Sequence, residues 1–182
     1  MSRIALFVAA SCLLAYVSRH SLRVTSSHGF FRFFAWEAIL GLVLLNAPRW
    51  FEDPLSFRQI ISWLLLLASL VLVVPSVRDL LRLGNISQQR ADATLLSFER
   101  TTTLVTTGAY RHIRHPMYSA LLFLTWGTYC KDPSWAGIVL AIAASILLFK
   151  TATADEAECI GYFGEPYRAY ARDTRRFVPF LF

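Results

Sequence analysis

Nineteen consecutive residues, Gln59–Val77, carry no charged side chain. A helix of that length reaches about 28 Å, close to the ~30 Å hydrocarbon thickness of a bilayer. Four further apolar runs accompany it: Ile4–Val17, Phe30–Asn46, Met117–Cys130 and Trp135–Phe149. A chain of 182 residues that is 55% hydrophobic and 16% charged lacks the polar surface of a water-soluble domain, where about 25% charged is usual. Its fourteen Phe, seven Tyr and five Trp exclude a disordered chain. The pattern predicts an all-α, integral-membrane helical bundle of about five transmembrane helices, forming a single membrane domain over residues 1–182. The first run reads as a span and not as a cleaved leader, because its basic flank is weak and more apolar runs follow.

The runs divide the chain into three N-terminal spans (1–77), a polar connector (78–116), a helical hairpin (117–149) and a polar extension with a tail (150–182). Pro75 predicts a bend or the exit of the third span. Lys131-Asp132-Pro133-Ser134 predicts a tight turn between the last two spans. These hold 14 and 15 residues, so each covers only about 21–23 Å and polar flanks must complete them. Gly137, Ala141 and Ser145 form a stripe of small residues that permits close helix approach, and Ala120 and Gly127 offer a matching stripe.

The net charge is +6. The basic residues lie between apolar runs and form no solvated stripe, so they read as membrane-orientation signals and not as a nucleic-acid surface. With five spans, thirteen Lys and Arg fall on the side of the 18–29 loop, the connector and the tail, against four on the other side. The positive-inside rule therefore predicts a cytosolic C-terminus and an N-terminus facing out. Three widely spaced cysteines, Cys12, Cys130 and Cys159, make neither a disulfide framework nor a metal site. No Gly-rich phosphate loop is present.

Two polar segments share the predicted cytosolic face. The first contains Gly108, Tyr110, Arg114, His115, Pro116 and Tyr118 and leads directly into the fourth span. Pro116 fits the first turn of a helix, so Arg114 and His115 sit beside free N–H groups that favour an anion. The second follows the fifth span, with Asp155, Glu156 and Glu158. The fifth helix is expected to continue through Tyr162, with Gly164 closing it and Pro166 opening a short new one. Acids this near the interface require partners. Glu158 and Glu165 read as a solvated acidic turn facing the basic tail.

The order Gly108-x-Tyr110, Arg114-His115-Pro116-x-Tyr118, a hairpin, the pair Asp155-Glu156, then Phe163-Gly164, Tyr167 and Tyr170 resembles the isoprenylcysteine carboxyl methyltransferase family, whose relatives include integral-membrane phospholipid N-methyltransferases. The resemblance covers about residues 100–182. It implies a membrane enzyme that uses S-adenosyl-L-methionine, bound at the cytosolic end of the C-terminal helices, so the connector carries the cofactor motif. It further implies that Tyr110, Arg114, His115, Pro116, Tyr118 and Glu156 bind the cofactor, with Asp155 in the same pocket. Independently of the resemblance, an amine or thiol acceptor needs a proton acceptor, for which Glu156 or Asp155 is the candidate catalytic group. Chemically, Arg114 and His115 suit the cofactor's carboxylate, Asp155 or Glu156 its ammonium or ribose, and a Tyr face its adenine or sulfonium.

Three positions depart from the family pattern. Ala120 stands where Gly is usual, Asp155 where Glu is usual, and Thr151 where the prenylcysteine enzymes carry Arg. The last bears on the acceptor more than on methyl transfer. The expected activity is methyl transfer to a lipophilic, membrane-associated substrate, carboxyl O-methyltransferase-like. Phospholipid N-methylation and S-methylation of a small thiol are the alternatives within the class. An NADPH-dependent membrane reductase and a non-catalytic membrane subunit are the alternatives outside it.

Overall fold

The computed structural model describes residues 2–87, 90, 92 and 94–177. Among them run six α-helices: α1 (Arg3–Val17), α2 (His28–Asn46), α3 (Phe57–Leu83), α4 (Pro116–Tyr129), α5 (Trp135–Phe163) and α6 (Glu165–Asp173). The first five coincide with the five apolar runs. The architecture is all-helical, as the hydropathy pattern predicts. Three helices, starting at His28, Phe57 and Trp135, are long and apolar enough to cross a membrane, in keeping with an integral membrane protein.

Serines start four of the helices. Ser2, Ser27, Ser56 and Ser134 each accept a hydrogen bond from the third backbone N–H of the helix they precede, satisfying a donor with no intrahelical partner. α4 begins differently. His115 stands at its cap position without a capping bond and Pro116 occupies the first turn, where the missing N–H costs nothing.

α2 packs along α5 and α3 along α4, while α1 lies against α2. The small residues Gly137, Ala141 and Ala144 are buried on one face of α5. A Cβ added at Gly137 would lie 3.5 Å from Leu42 of α2, so this stripe brings α5 close to α2. The expected matching stripe on α4 is corrected in part: Gly127 faces Leu65 and Leu66 of α3, with 3.1–3.2 Å for an added Cβ. Ser62 Oγ donates to the Gly127 carbonyl at 2.7 Å and holds that approach.

Polar staples close the end of the bundle at the α4–α5 turn. Lys131 is fully buried, its Nζ donating to Gln59 Oε1 at 2.9 Å and lying 3.1 Å from the centroid of the Trp63 ring. Asn46 Nδ2 donates to the Thr128 carbonyl at 2.7 Å. Inside the bundle, Ser11 of α1 donates to Glu37 of α2 at 2.6 Å, partnering a carboxylate that otherwise interrupts an apolar run.

Pro75 does not end α3, contrary to one reading of the sequence. The helix runs on to Leu83, with Ser76 Oγ bonded to the Leu72 carbonyl at 2.6 Å beside the break in the ladder. α3 has 27 residues and α5 has 29, so each extends about 40 Å, some 10 Å more than a ~30 Å hydrocarbon core. The C-terminal ends of both lie on the same side of the bundle, and the described residues of the connector and α6 gather around them.

Candidate active site

Asp155 lies twenty residues along α5 from Trp135, a rise of about 30 Å, equal to the usual hydrocarbon thickness of a bilayer. The start of α4 meets α5 at this level. His115 packs between the two acids, with Nδ1 3.4 Å from Asp155 Oδ2 and Nε2 3.2 Å from Glu156 Oε1. Tyr118, one helical turn on, donates its hydroxyl to Asp155 Oδ2 at 3.2 Å and stacks on the His115 ring at 5.3 Å between centroids. Burial alone would lower the His115 pKa, but the hydrogen bonds to Asp155 and Glu156 outweigh it and hold the imidazole above its ordinary value.

Arg114 turns to the other side of the pair. Its Nε donates to Glu156 Oε1 at 3.0 Å and its Nη1 to the Ala171 carbonyl at 2.9 Å and to that of Thr174. Glu156 also takes both donors of Arg176, at 3.0 and 2.6 Å. The tail is held there by main chain as well: Arg114 N donates to Arg175 O at 2.7 Å, His115 N to Arg176 O at 3.2 Å, and Arg175 N to His112 O at 3.1 Å. Phe177 packs on the rings of His115 and Phe149.

A cavity of about 100 Å³ opens beside this cluster. Asp155, His115, Tyr118 and Tyr110 line it together with Arg114 and Pro116. The structure thus gathers all the sequence-predicted site residues in one place. Glu156 alone among them stays off the cavity wall, its carboxylate occupied by Arg114, Arg176 and His115. Tyr110 is almost wholly buried and its hydroxyl has no hydrogen-bond partner. Its backbone carbonyl accepts from the Tyr170 hydroxyl at 2.7 Å, which fixes α6 over the site. Burial pushes the Tyr110 phenol pKa up, so it stays a neutral donor.

Three groups around the site, Glu99, Arg32 and His28, lie outside the sequence reading, and a fourth, Glu158, departs from it. Glu99 lines the cavity and forms an ion pair with Arg32 of α2. It also lies 3.5 Å from His28 Nε2. Burial works to raise the Glu99 pKa, but Arg32 and His28 bring it down to about 2. Glu158 is not in a solvated acidic turn: His28 donates to it from its backbone N–H at 2.8 Å and lies against it through Nδ1 at 2.7 Å. Glu165 does face the tail, in an exposed pair with Arg172 at 2.6 Å. The available signal was Arg32 within an apolar run with His28 one turn before it, two polar groups on one helix face that demand partners.

These residues can serve a cationic, hydrogen-bonding ligand. Asp155 supplies a fixed negative charge on the wall, Tyr110 a donor with no acceptor of its own, and Tyr118, Tyr167 and Tyr170 supply aromatic surface. A sulfonium nucleoside with an ammonium group matches that set, since π faces and carboxylates both attract the cation.

The family model described as phospholipid methyltransferase matches residues 57–160. That span includes α3, α4, the Arg114–Pro116 segment and the acidic pair of α5; α6 and the tail lie beyond it. A methanethiol S-methyltransferase of Pseudomonas deceptionensis is 29% identical over 72 residues. The match covers 40% of this chain and 27% of that relative, so the chain spans about a quarter of the relative's length. No solved structure matches. The family match extends over more than half of the chain and contains Tyr110, Arg114, His115, Tyr118 and Asp155 of the cavity wall: the chain belongs to the phospholipid methyltransferase family.

Proposed function

We propose that the chain is an S-adenosyl-L-methionine-dependent methyltransferase acting on a lipophilic, membrane-associated acceptor. The observation that carries this reading is the meeting of His115, Tyr118 and Asp155 at one cavity, about one hydrocarbon thickness along α5 from Trp135. The bound donor supplies an activated methyl group for in-line transfer. The chain's own residues hold and orient. Asp155 and Tyr110 take the polar groups of the donor, Tyr118 presents its ring to the cation, and His115 keeps Asp155 ionised and in place. Glu156, braced by Arg114 and Arg176, fixes the α4 entry against α5. Asp155, on the cavity wall, is also the candidate carboxylate to accept a proton from an amine or thiol acceptor, whereas Glu156, off the wall and held by three cationic partners, is not placed to do so. Positioning of this kind is the main contribution a protein can make to a displacement at an already activated carbon.

The charge pattern supports a cavity mouth in the cytosol and an N-terminus facing out, with the acceptor entering sideways from the lipid. Isoprenylcysteine carboxylate, a phospholipid amine and a small thiol are the acceptor classes of this reading, the last in line with the name of the S-methyltransferase relative.

Isothermal titration with S-adenosylhomocysteine tests the proposal. The wild type binds, while His115→Ala and Asp155→Asn lose at least tenfold in affinity and stay folded by circular dichroism. Unchanged affinity in both variants overturns the site. Incubation with a radiolabelled methyl donor and a membrane extract then identifies the acceptor through its labelled product.

A further inference from the structure

Arg90, in the connector, lines the same cavity. Its side chain is only 4% exposed, yet its one ion pair among the described residues is with Asp92, a carboxylate 54% exposed. Nε donates to Asp92 Oδ2 at 3.2 Å. A partner so open to water and salt compensates a buried guanidinium poorly. Nη1 donates to the Thr101 carbonyl at 2.7 Å. The guanidinium carbon lies 4.0 Å from the centroid of the Tyr162 ring and 5.3 Å from that of Phe163. The planar group is therefore fixed at the cavity wall, between the connector and the end of α5, in the manner that suits recognition of a carboxylate.

The other charges on the wall are committed elsewhere. Glu99 and Asp155 are acids. Arg114 gives Nε to Glu156 and Nη1 to the carbonyls of Ala171 and Thr174. His115 is set between Asp155 and Glu156. A sulfonium donor built on an amino acid carries a carboxylate beside its ammonium group, and the sequence pattern suits that carboxylate to Arg114 and His115. In the structure both of these already answer acids of their own. Among the described residues, Arg90 is the wall cation whose countercharge lies out on the surface. Tyr162, which it stacks on, is seven residues beyond Asp155 on α5, a rise of about 10 Å. Arg90 and Asp155 thus mark different levels of the cavity.

We propose that Arg90 binds the carboxylate of the methyl donor and thereby sets its direction, with the amino-acid end toward the α5–α6 junction and the sulfonium toward Tyr118 and Asp155. The inference rests on the methyltransferase reading. It makes Arg90 a specificity residue: the cavity prefers the intact donor to the same molecule without its carboxylate.

Isothermal titration in dodecyl maltoside micelles tests this with two ligands. One is S-adenosylhomocysteine. The other is S-adenosyl-3-thiopropylamine, the same molecule with hydrogen in place of the carboxylate. The wild type binds the first at least tenfold more tightly. Arg90→Gln loses at least tenfold in affinity for the first and less than twofold for the second, and Arg90→Lys recovers part of the loss. Equal affinities in the wild type, an unchanged affinity of Arg90→Gln for S-adenosylhomocysteine, or the same loss for both ligands each overturn the proposal; the last makes Arg90 a structural brace only. If Arg90→Gln does not fold, the surface change Asp92→Asn takes its place. Removing the competing carboxylate should raise affinity for S-adenosylhomocysteine alone, by at least twofold, and no gain or an equal gain for both ligands overturns the proposal. A wild type that binds neither ligand removes the methyltransferase reading and this inference with it. A wild type that binds both, with the Arg90 variants unchanged, removes only the role of Arg90.

Discussion

Glu99 joins the connector to the bundle through charge. It pairs with Arg32 of α2, lies near His28 and accepts from Leu96 N. Glu99→Gln strands a buried guanidinium with no countercharge, and the expected loss is about 3 kcal/mol, read as a lower midpoint in thermal unfolding. The pH dependence has a defined sign. The folded-state pKa is about 2, below the ordinary 4.5, so the wild type keeps the full contribution above about pH 4.5 and loses it as pH falls toward 2. Glu99→Gln flattens the acid limb of the unfolding curve; an unchanged limb would show that the pair contributes nothing. At His115 the direction reverses. Its raised pKa stabilises the fold most below the ordinary histidine value, and the benefit fades as pH rises through the raised one. The sequence shows why such pairs escape inspection. Asp155, His115 and Tyr118 lie in motifs of recognisable spacing. Glu99 and Arg32 are 67 positions apart, and His28 and Glu158 are 130 apart. No local period encodes either pairing, so Glu158 reads as solvated until the helices are set side by side.

The helices were the most legible level. Five apolar runs became five helices because hydropathy over a turn-long period is a local property, and the serine caps and Pro116 mark their starts. Pro75 misleads as an end signal because α3 carries apolar side chains past it and tolerates one missing bond. At the junction of α5 and α6 the backbone itself decides. Gly164 adopts φ 66° and ψ −135°, a region essentially closed to other residues. Gly164→Ala therefore costs about 1–3 kcal/mol, although an added Cβ meets no neighbour within 4 Å. The strain falls on α6, which holds Tyr170 on the Tyr110 carbonyl. Hydrogen exchange should accelerate in 165–173 while α3 and α4 keep their protection. Uniform loss of protection across the bundle would argue that α6 is not a separable element.

For the molecule as a whole, the asymmetry of charge and the surplus length of α3 and α5 act together. Both helices are longer than a ~30 Å core, and with five spans thirteen of the eighteen Lys and Arg are assigned to the side of the connector and tail. In a chain with Cys12, Cys130 and Cys159 replaced by Ser, Arg168→Cys should react with a membrane-impermeant maleimide only after inside-out vesicles are formed, and Asp53→Cys only in right-side-out vesicles. The reverse pattern would invert the orientation and put the cavity mouth outside. The strand-like pairing of 112–115 with 174–176 has a consequence for biogenesis. Residues 174–176 follow α1–α6 in the chain, and Arg176 reaches back to Glu156 to brace the α4 entry. The helices can therefore pack against one another before this corner closes, and the α4 entry is braced only when Arg176 has joined Glu156.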